Sequence, residues 1–306
     1  MTLSLFPGFC WATGIENTWI PQVRPGLRAL DQYSLTQHYQ LWKSDIDAAT
    51  EVGVQAVRWG IPWYRVQPKR DVWDWRWVDS VLDYIVNVKG LTPILDLMHY
   101  GTPLWLDNSF INSRYPGYVA EYARAVAARY RSLVRYYTPL NEPTVNAEFC
   151  GQRGLWPPYL TGDDGYLKVL MALAKGMVLT VQALQAEQPD MLTVQVEALR
   201  RHWTRAVEAQ PQVALLHEQQ YLAFDLVTGR VDDDHPLHVY LQLEGVTSAD
   251  LTWFRDHAVR FDVLGVNFYP WSYGELTPGK HGKLYRVRRR VPGAALAEVL
   301  REAHTR

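Results

Sequence analysis

The segment Tyr137-Thr138-Pro139-Leu140-Asn141-Glu142-Pro143 sets a carboxylate beside an amide at the end of a β-rich run. Such a pair suits cleavage of a glycosidic bond, where an acid protonates the departing oxygen and an amide hydrogen-bonds the neighbouring 2-hydroxyl. Proline at 143 restricts the backbone after Glu142 and helps fix its direction. Taken alone, the triplet fits a helix or loop cap with an incidental Glu equally well. Three further segments carry residue types that chemistry uses. Arg58 lies on a run whose alternate residues Val54, Ala56 and Gly60 are small or apolar, so its guanidinium points inward and calls for a carboxylate partner. His99 closes another apolar run, where a neutral imidazole can bond a hydroxyl, and Tyr100 follows it. Asn267 and Tyr269 are two apart on a strand and share a face. Each also has a plainer reading: a structural ion pair, a satisfied core histidine, and a layer of barrel-filling side chains.

These residues fall at or near the ends of short β-rich runs that alternate with longer helical patterns. The strand candidates are Phe9–Glu16, Val54–Ile61, Leu91–His99, Val134–Asn141, Met191–Leu199 and Phe261–Tyr269. Apolar residues near a 3.6 period mark helices over Leu41–Val52, Trp75–Lys89, Pro116–Arg131, Asp164–Gln188 and Gly293–Arg306. The long connection Arg200–Arg260 holds shorter ones, among them Pro211–Asp225 and Ser248–His257. The alternation predicts a parallel sheet with helical crossovers. No glycine-rich phosphate loop follows the first strand, so a TIM (β/α)₈-type barrel fits better than a doubly wound sheet, with about six of eight units in this chain. With no linker or composition break, residues 1–306 read as a single barrel domain, either C-terminally incomplete by two units or an open variant.

The same segments resemble glycoside hydrolase family 1. Thr138-Pro-Leu-Asn-Glu-Pro143 matches that family's acid/base signature, and the opening Phe6-Pro-Gly-Phe-Cys-Trp-Ala-Thr-Gly-Ile-Glu16 resembles its first strand. His38 through Arg65, with Trp42, Asp45, Gly53, Arg58 and Trp63, is similar to its first helix and second strand. The likeness continues through Leu97-Met-His-Tyr100 with Pro103, Trp105 and Leu106, and through Leu264-Gly-Val-Asn-Phe-Tyr269. The resemblance implies a retaining β-glycosidase of the β-glucosidase kind, with Glu142 as general acid/base beside Asn141. Arg58 and Tyr269 would hold the nucleophile; His99, Tyr100 and Asn267 would line the sugar pocket. It implies no metal or organic cofactor, and a small-molecule glycoside as partner.

Two departures from the family pattern bear on function. Gly14 stands where the family has a Gln that anchors the sugar, with Glu16 or Asn17 as compensating residues, although Glu16 suits a structural ion pair as well. No strand bearing the nucleophile motif follows Tyr269, so that Glu is expected beyond Arg306 and this chain alone is expected to be inactive. Glu275 reads as part of a Pro/Gly-flanked loop, and Glu298 and Glu302 as a surface helix. A sugar-binding or scaffold relative without catalysis, and a transglycosidase, remain rival readings.

Charge and composition narrow the partners. Lys and Arg number 31 against 32 Asp and Glu, so no global field draws the chain to nucleic acid or an anionic membrane. Lys280, Lys283, Arg286, Arg288, Arg289 and Arg290 read as a solvated loop in preference to a phosphate site, and Asp232-Asp233-Asp234 as a solvated turn that lacks the Gly and Glu of a calcium loop. Cys10 and Cys150 form no metal-ligand or disulfide framework, Met1–Leu5 carries no signal-peptide pattern, and no apolar run reaches about 18 residues, which together point to a cytoplasmic protein. Hydrophobic residues at 48% are ample for one large core.

Overall fold

A computed structural model describes residues 8–22, 24–280 and 283–306; Phe6 and Pro7, which open the resemblance, lie outside them. Six parallel strands stand side by side in chain order: β1 Ala12–Ile15, β2 Ala56–Gly60, β3 Thr92–Asp96, β4 Tyr136–Thr138, β5 Leu192–Ala198 and β6 Val263–Asn267. All six lie within the predicted runs. The curled sheet is a (β/α)₈-type barrel represented through six units.

Register assigns the two faces. Gly14 lies opposite Arg58, and Asp96 lies opposite both Gly60 and Thr138. Residues in register share a face, so Gly14, Arg58, Asp96 and Thr138 all point to the inside of the curl. Their neighbours Val57, Trp59, Leu95 and Tyr137 point outward and are fully buried under the helices. Apolar side chains on that face drive the helix layer onto the sheet, which leaves the inner face to carry polar groups.

The helices are His38–Glu51, Arg76–Asp83 continued by a π-helical turn Tyr84–Val88, Tyr115–Tyr130, Gly162–Glu187 and Ala295–Thr305. Helix Gly162–Glu187 is long and apolar enough to span a membrane on length and composition, although no uninterrupted apolar run of that length was visible in the sequence. Most of it is buried, and at Gly176 a Cβ would come within 3.0 Å of the Tyr115 ring, so helix Tyr115–Tyr130 crosses it closely. In the fifth connection Ser248–Asp256 starts at a capping box between Thr247 and Asp250. The helix expected over 211–225 is two, Gln210–Gln219 and Leu222–Val227, separated where Gln220 turns its side chain to accept the Arg200 N–H at 2.8 Å.

The region after β6 differs from expectation. A second sheet joins Tyr273–Pro278 to Leu284–Arg288 antiparallel and to Arg201–Trp203 parallel. Glu275 therefore lies on a strand, not in a loop; it is buried and bonded by Arg289 at 2.6 Å. Arg286 and Arg288 likewise sit on the outer strand, not in a solvated loop. The short runs are interrupted by Gly274 and crowded with arginine, so their alternation is weak. They become strands because Arg201–Trp203, about seventy residues earlier, supplies the pairing edge.

Candidate active site

Glu142 follows β4 at the C-terminal mouth of the curl. Its backbone is left-handed, with φ 46°, and it begins the short helix Pro143–Ala147. Two bonds hold this turn: Asn141 N–H to Met98 O at 3.0 Å and Glu142 N–H to Val196 O at 3.1 Å. The segment is thus stitched to the strands on either side, and the strained φ persists because the surroundings fix it.

The buried Glu142 carboxylate accepts from two side chains. Asn267, at the end of β6, donates to Oε1 at 2.6 Å, and the Tyr100 hydroxyl donates to Oε2. Burial, reinforced by the Glu142 charge, pushes the Tyr100 phenol far above its ordinary range, so it stays a neutral donor. Tyr100 also has a left-handed backbone, φ 80°, and its carbonyl accepts from Asn146 at 3.0 Å. Gly101 follows because a Cβ there would stand 2.1 Å from the Trp19 carbonyl oxygen.

A second cluster lies on the same inner face. Arg58 donates to Glu16 at 3.2 Å, Asp96 at 2.7 Å and Asn141 Oδ1 at 3.0 Å. His99 Nδ1 lies 2.7 Å from Asp96 Oδ2 and its Nε2 lies 3.3 Å from the Asn141 amide nitrogen. Since a carboxylate only accepts and an amide N–H only donates, His99 carries its proton on Nδ1 when neutral. Asn141 joins the two clusters: it precedes Glu142 and receives the guanidinium. Tyr269 completes the wall, stacked on Trp271 at 4.7 Å. Its phenol is pushed up to about 12 by burial first, then by the Glu142 and Glu16 charges, with Arg58 opposing, so all three charges lie within its electrostatic reach.

Six of the seven residues singled out in the sequence are joined in one hydrogen-bonded region, Arg58, His99, Tyr100, Asn141, Glu142 and Asn267, and the seventh, Tyr269, lies within electrostatic reach of it. Asp96 was missed, although an acid in an apolar run two residues beyond Ile94, on the face shared with Arg58, was a usable signal. The inner face carries carboxylates from Glu16, Asp96 and Glu142 against the Arg58 guanidinium.

Glu197 stands one strand over but behind the sheet. Val196 and Ala198 pair with Gly265 and Asn267 on the inner face, so Glu197 points outward. It accepts from Thr144 Oγ1 at 2.6 Å, Thr144 N–H at 3.1 Å and Ala198 N–H at 2.9 Å. Burial, helped by the Glu142 charge and opposed by those bonds, pushes its carboxyl up to about 8. Among the described residues no group of three His, Cys, Asp or Glu side chains could hold a metal ion.

A model of glycosyl hydrolase family 1 matches residues 31–232. Beta-glucosidase A of Thermotoga maritima is 31% identical over 121 residues, covering 36% of this chain and 26% of that protein. A 6-phospho-beta-glucosidase of Clostridium longisporum is 30% identical over 128 residues, covering 39% of this chain and 27% of the relative. Among solved structures, the family 1 glucosidase from T. maritima aligns with a TM-score of 0.73 at 21% identity, over 85% of this chain and 60% of that one. The T. maritima enzyme in complex with deoxynojirimycin aligns with a TM-score of 0.78 at 21% identity, over 94% and 71%. The matched stretches thus span about a quarter of the curated relatives' length.

Proposed function

The chain belongs to glycosyl hydrolase family 1, and on that premise we propose that its site is built for retaining cleavage of β-glycosides, with Glu142 as general acid/base. The observation that carries this is the carboxylate at the barrel mouth, oriented by Tyr100 and Asn267 from flanking walls. Glu142 would give its proton to the glycosidic oxygen as the bond to the anomeric carbon breaks, and would later take one from the incoming water. Asn141 accepts from Arg58 and donates one amide hydrogen to His99, which leaves its other amide hydrogen for the 2-hydroxyl. His99 and Tyr100 would line the sugar pocket, and Tyr269 with Arg58 would steady the attacking carboxylate.

That carboxylate we place outside residues 1–306. Of the other acids near the site, Asp96 is buried against Arg58 and His99, Glu16 is paired with Arg58, and Glu197 points outward to the helices. We therefore propose that these 306 residues, acting as one barrel-type domain, bind a small β-glycoside without turning it over. The names of the matched relatives, a beta-glucosidase and a 6-phospho-beta-glucosidase, share the glucoside, and the acidic inner wall favours one without the phosphate. A cytoplasmic setting is supported by Cys10 and Cys150, which are unpaired.

The second reading, a sugar-binding relative without catalysis, is favoured by one observation: Arg58 already has two carboxylate partners. Turnover of aryl β-glycosides by the purified chain tests both, with Glu142→Ala as control. No turnover, restored by adding two further strand-helix units, supports the glycosidase reading; no restoration supports the binding protein. Robust turnover by the chain alone, lost in the control, would show that the attacking group lies within these residues.

A further inference from the structure

Glu16 is the inward acid most open to the cavity. Its side chain is 38% exposed, against 1% for Asp96 and 14% for Arg58. Asp96 and Arg58 face each other at 2.7 Å and largely neutralise one another, so the inner wall retains the charge of Glu16. Gly14 stands beside it: a Cβ there would lie 3.8 Å from Glu16 Oε1, in ordinary contact with the carboxylate.

Glu16 is also short of donors. Oε1 takes a hydrogen bond from Arg58, while Oε2 faces His99 Nε2 at 3.6 Å. That separation is too long for a hydrogen bond, which leaves Oε2 open to a ligand. An open carboxylate oxygen, in a wall of net negative charge, is complementary to an N–H cation. A sugar hydroxyl would fill the hydrogen bond and leave the charge uncompensated.

We propose that Glu16 is a specificity-determining residue that selects a glycoside carrying an ammonium group on the ring edge remote from the glycosidic oxygen. This rests on the sugar-site reading above. The remote edge follows from topology: Glu142, at the glycosidic oxygen, comes after β4, whereas Glu16 comes after β1, three strands away around the curl.

The test is calorimetric binding of the whole chain to phenyl β-glucoside, its 6-amino-6-deoxy counterpart and its 2-amino-2-deoxy counterpart, at about pH 6, where the amines are protonated. The 6-amino compound is expected to bind about tenfold more tightly than the neutral one. Glu16→Gln should erase that preference while the folded variant still binds the neutral glycoside. In the unmutated chain the preference should shrink as salt is raised to about 0.5 M, a control independent of folding in the variant. Equal affinities, a preference that survives Glu16→Gln, or tighter binding of the 2-amino compound would overturn the proposal. So would loss of both ligands in a folded Glu16→Gln variant, which would make Glu16 only the prop of Arg58. If the unmutated chain bound none of the three, the sugar-site reading itself would fall; equal binding would remove only the role of Glu16.

Discussion

Asn267 donates its side-chain amide to Glu142 Oε1 at 2.6 Å, joining residues 125 apart in sequence across the mouth of the barrel. Substitutions at 267 should report directly on the Glu142 charge. Asn267→Ala removes a bond to a carboxylate and is expected to cost about 1–3 kcal/mol in urea unfolding. Asn267→Asp puts a second carboxyl against the first, so the pair would share a proton. Its stability should match the Ala variant in acid and fall below it as pH rises past neutrality. Parallel pH curves for the two variants would contradict the contact.

Arg58 neutralises Asp96, which is 1% exposed. Arg58→Met should therefore destabilise the fold by about 3–5 kcal/mol, because it strands a buried charge with only His99 beside it. Adding Asp96→Asn should recover part of that loss, giving a coupling of roughly 1–3 kcal/mol in a double-mutant cycle. Additive losses would show that the pair is not coupled.

Glu197 predicts a pH dependence. Its carboxyl is pushed from the ordinary 4.5 up to about 8 by burial, so between those values the unfolded chain releases the proton first. The stabilising contribution is fully present below about pH 4.5 and is lost as pH climbs through 8. Glu197→Gln cannot titrate, so relative to the unmutated chain it should gain stability from pH 5 to pH 8, by a few kcal/mol at most. Thermal melts across that range would expose a flat difference if the carboxyl were ionised throughout.

Gly101 lies where a Cβ would stand 2.1 Å from the Trp19 carbonyl oxygen and 2.6 Å from its ring. Gly101→Ala must displace backbone on one side or the other, and a loss of about 2 kcal/mol or more is expected. Because Tyr100 precedes it, sugar binding should weaken beyond what the stability loss alone gives. Unchanged melting would mean that the two segments are less tightly apposed.

The sequence by itself determined the alternation of six strands with helices, the inward aim of Arg58 between Ala56 and Gly60, and the place of Glu142 at a strand end. These are consequences of short-range periodicity, which each segment carries whatever it packs against. What only the tertiary structure decided is who meets whom. Arg58 finds Glu16, Asp96 and Asn141, at separations of 42, 38 and 83 residues, because the curl of the sheet brings β1, β3 and the end of β4 around one guanidinium. Tyr100 reaches Glu142 only through a left-handed turn, and Glu197 is taken behind the sheet by a one-residue difference in register. The strand at Tyr273–Pro278 exists because Arg201–Trp203 offers it an edge. Pairings of that kind depend on strand curvature and on the burial of distant groups, which no local pattern of side chains encodes.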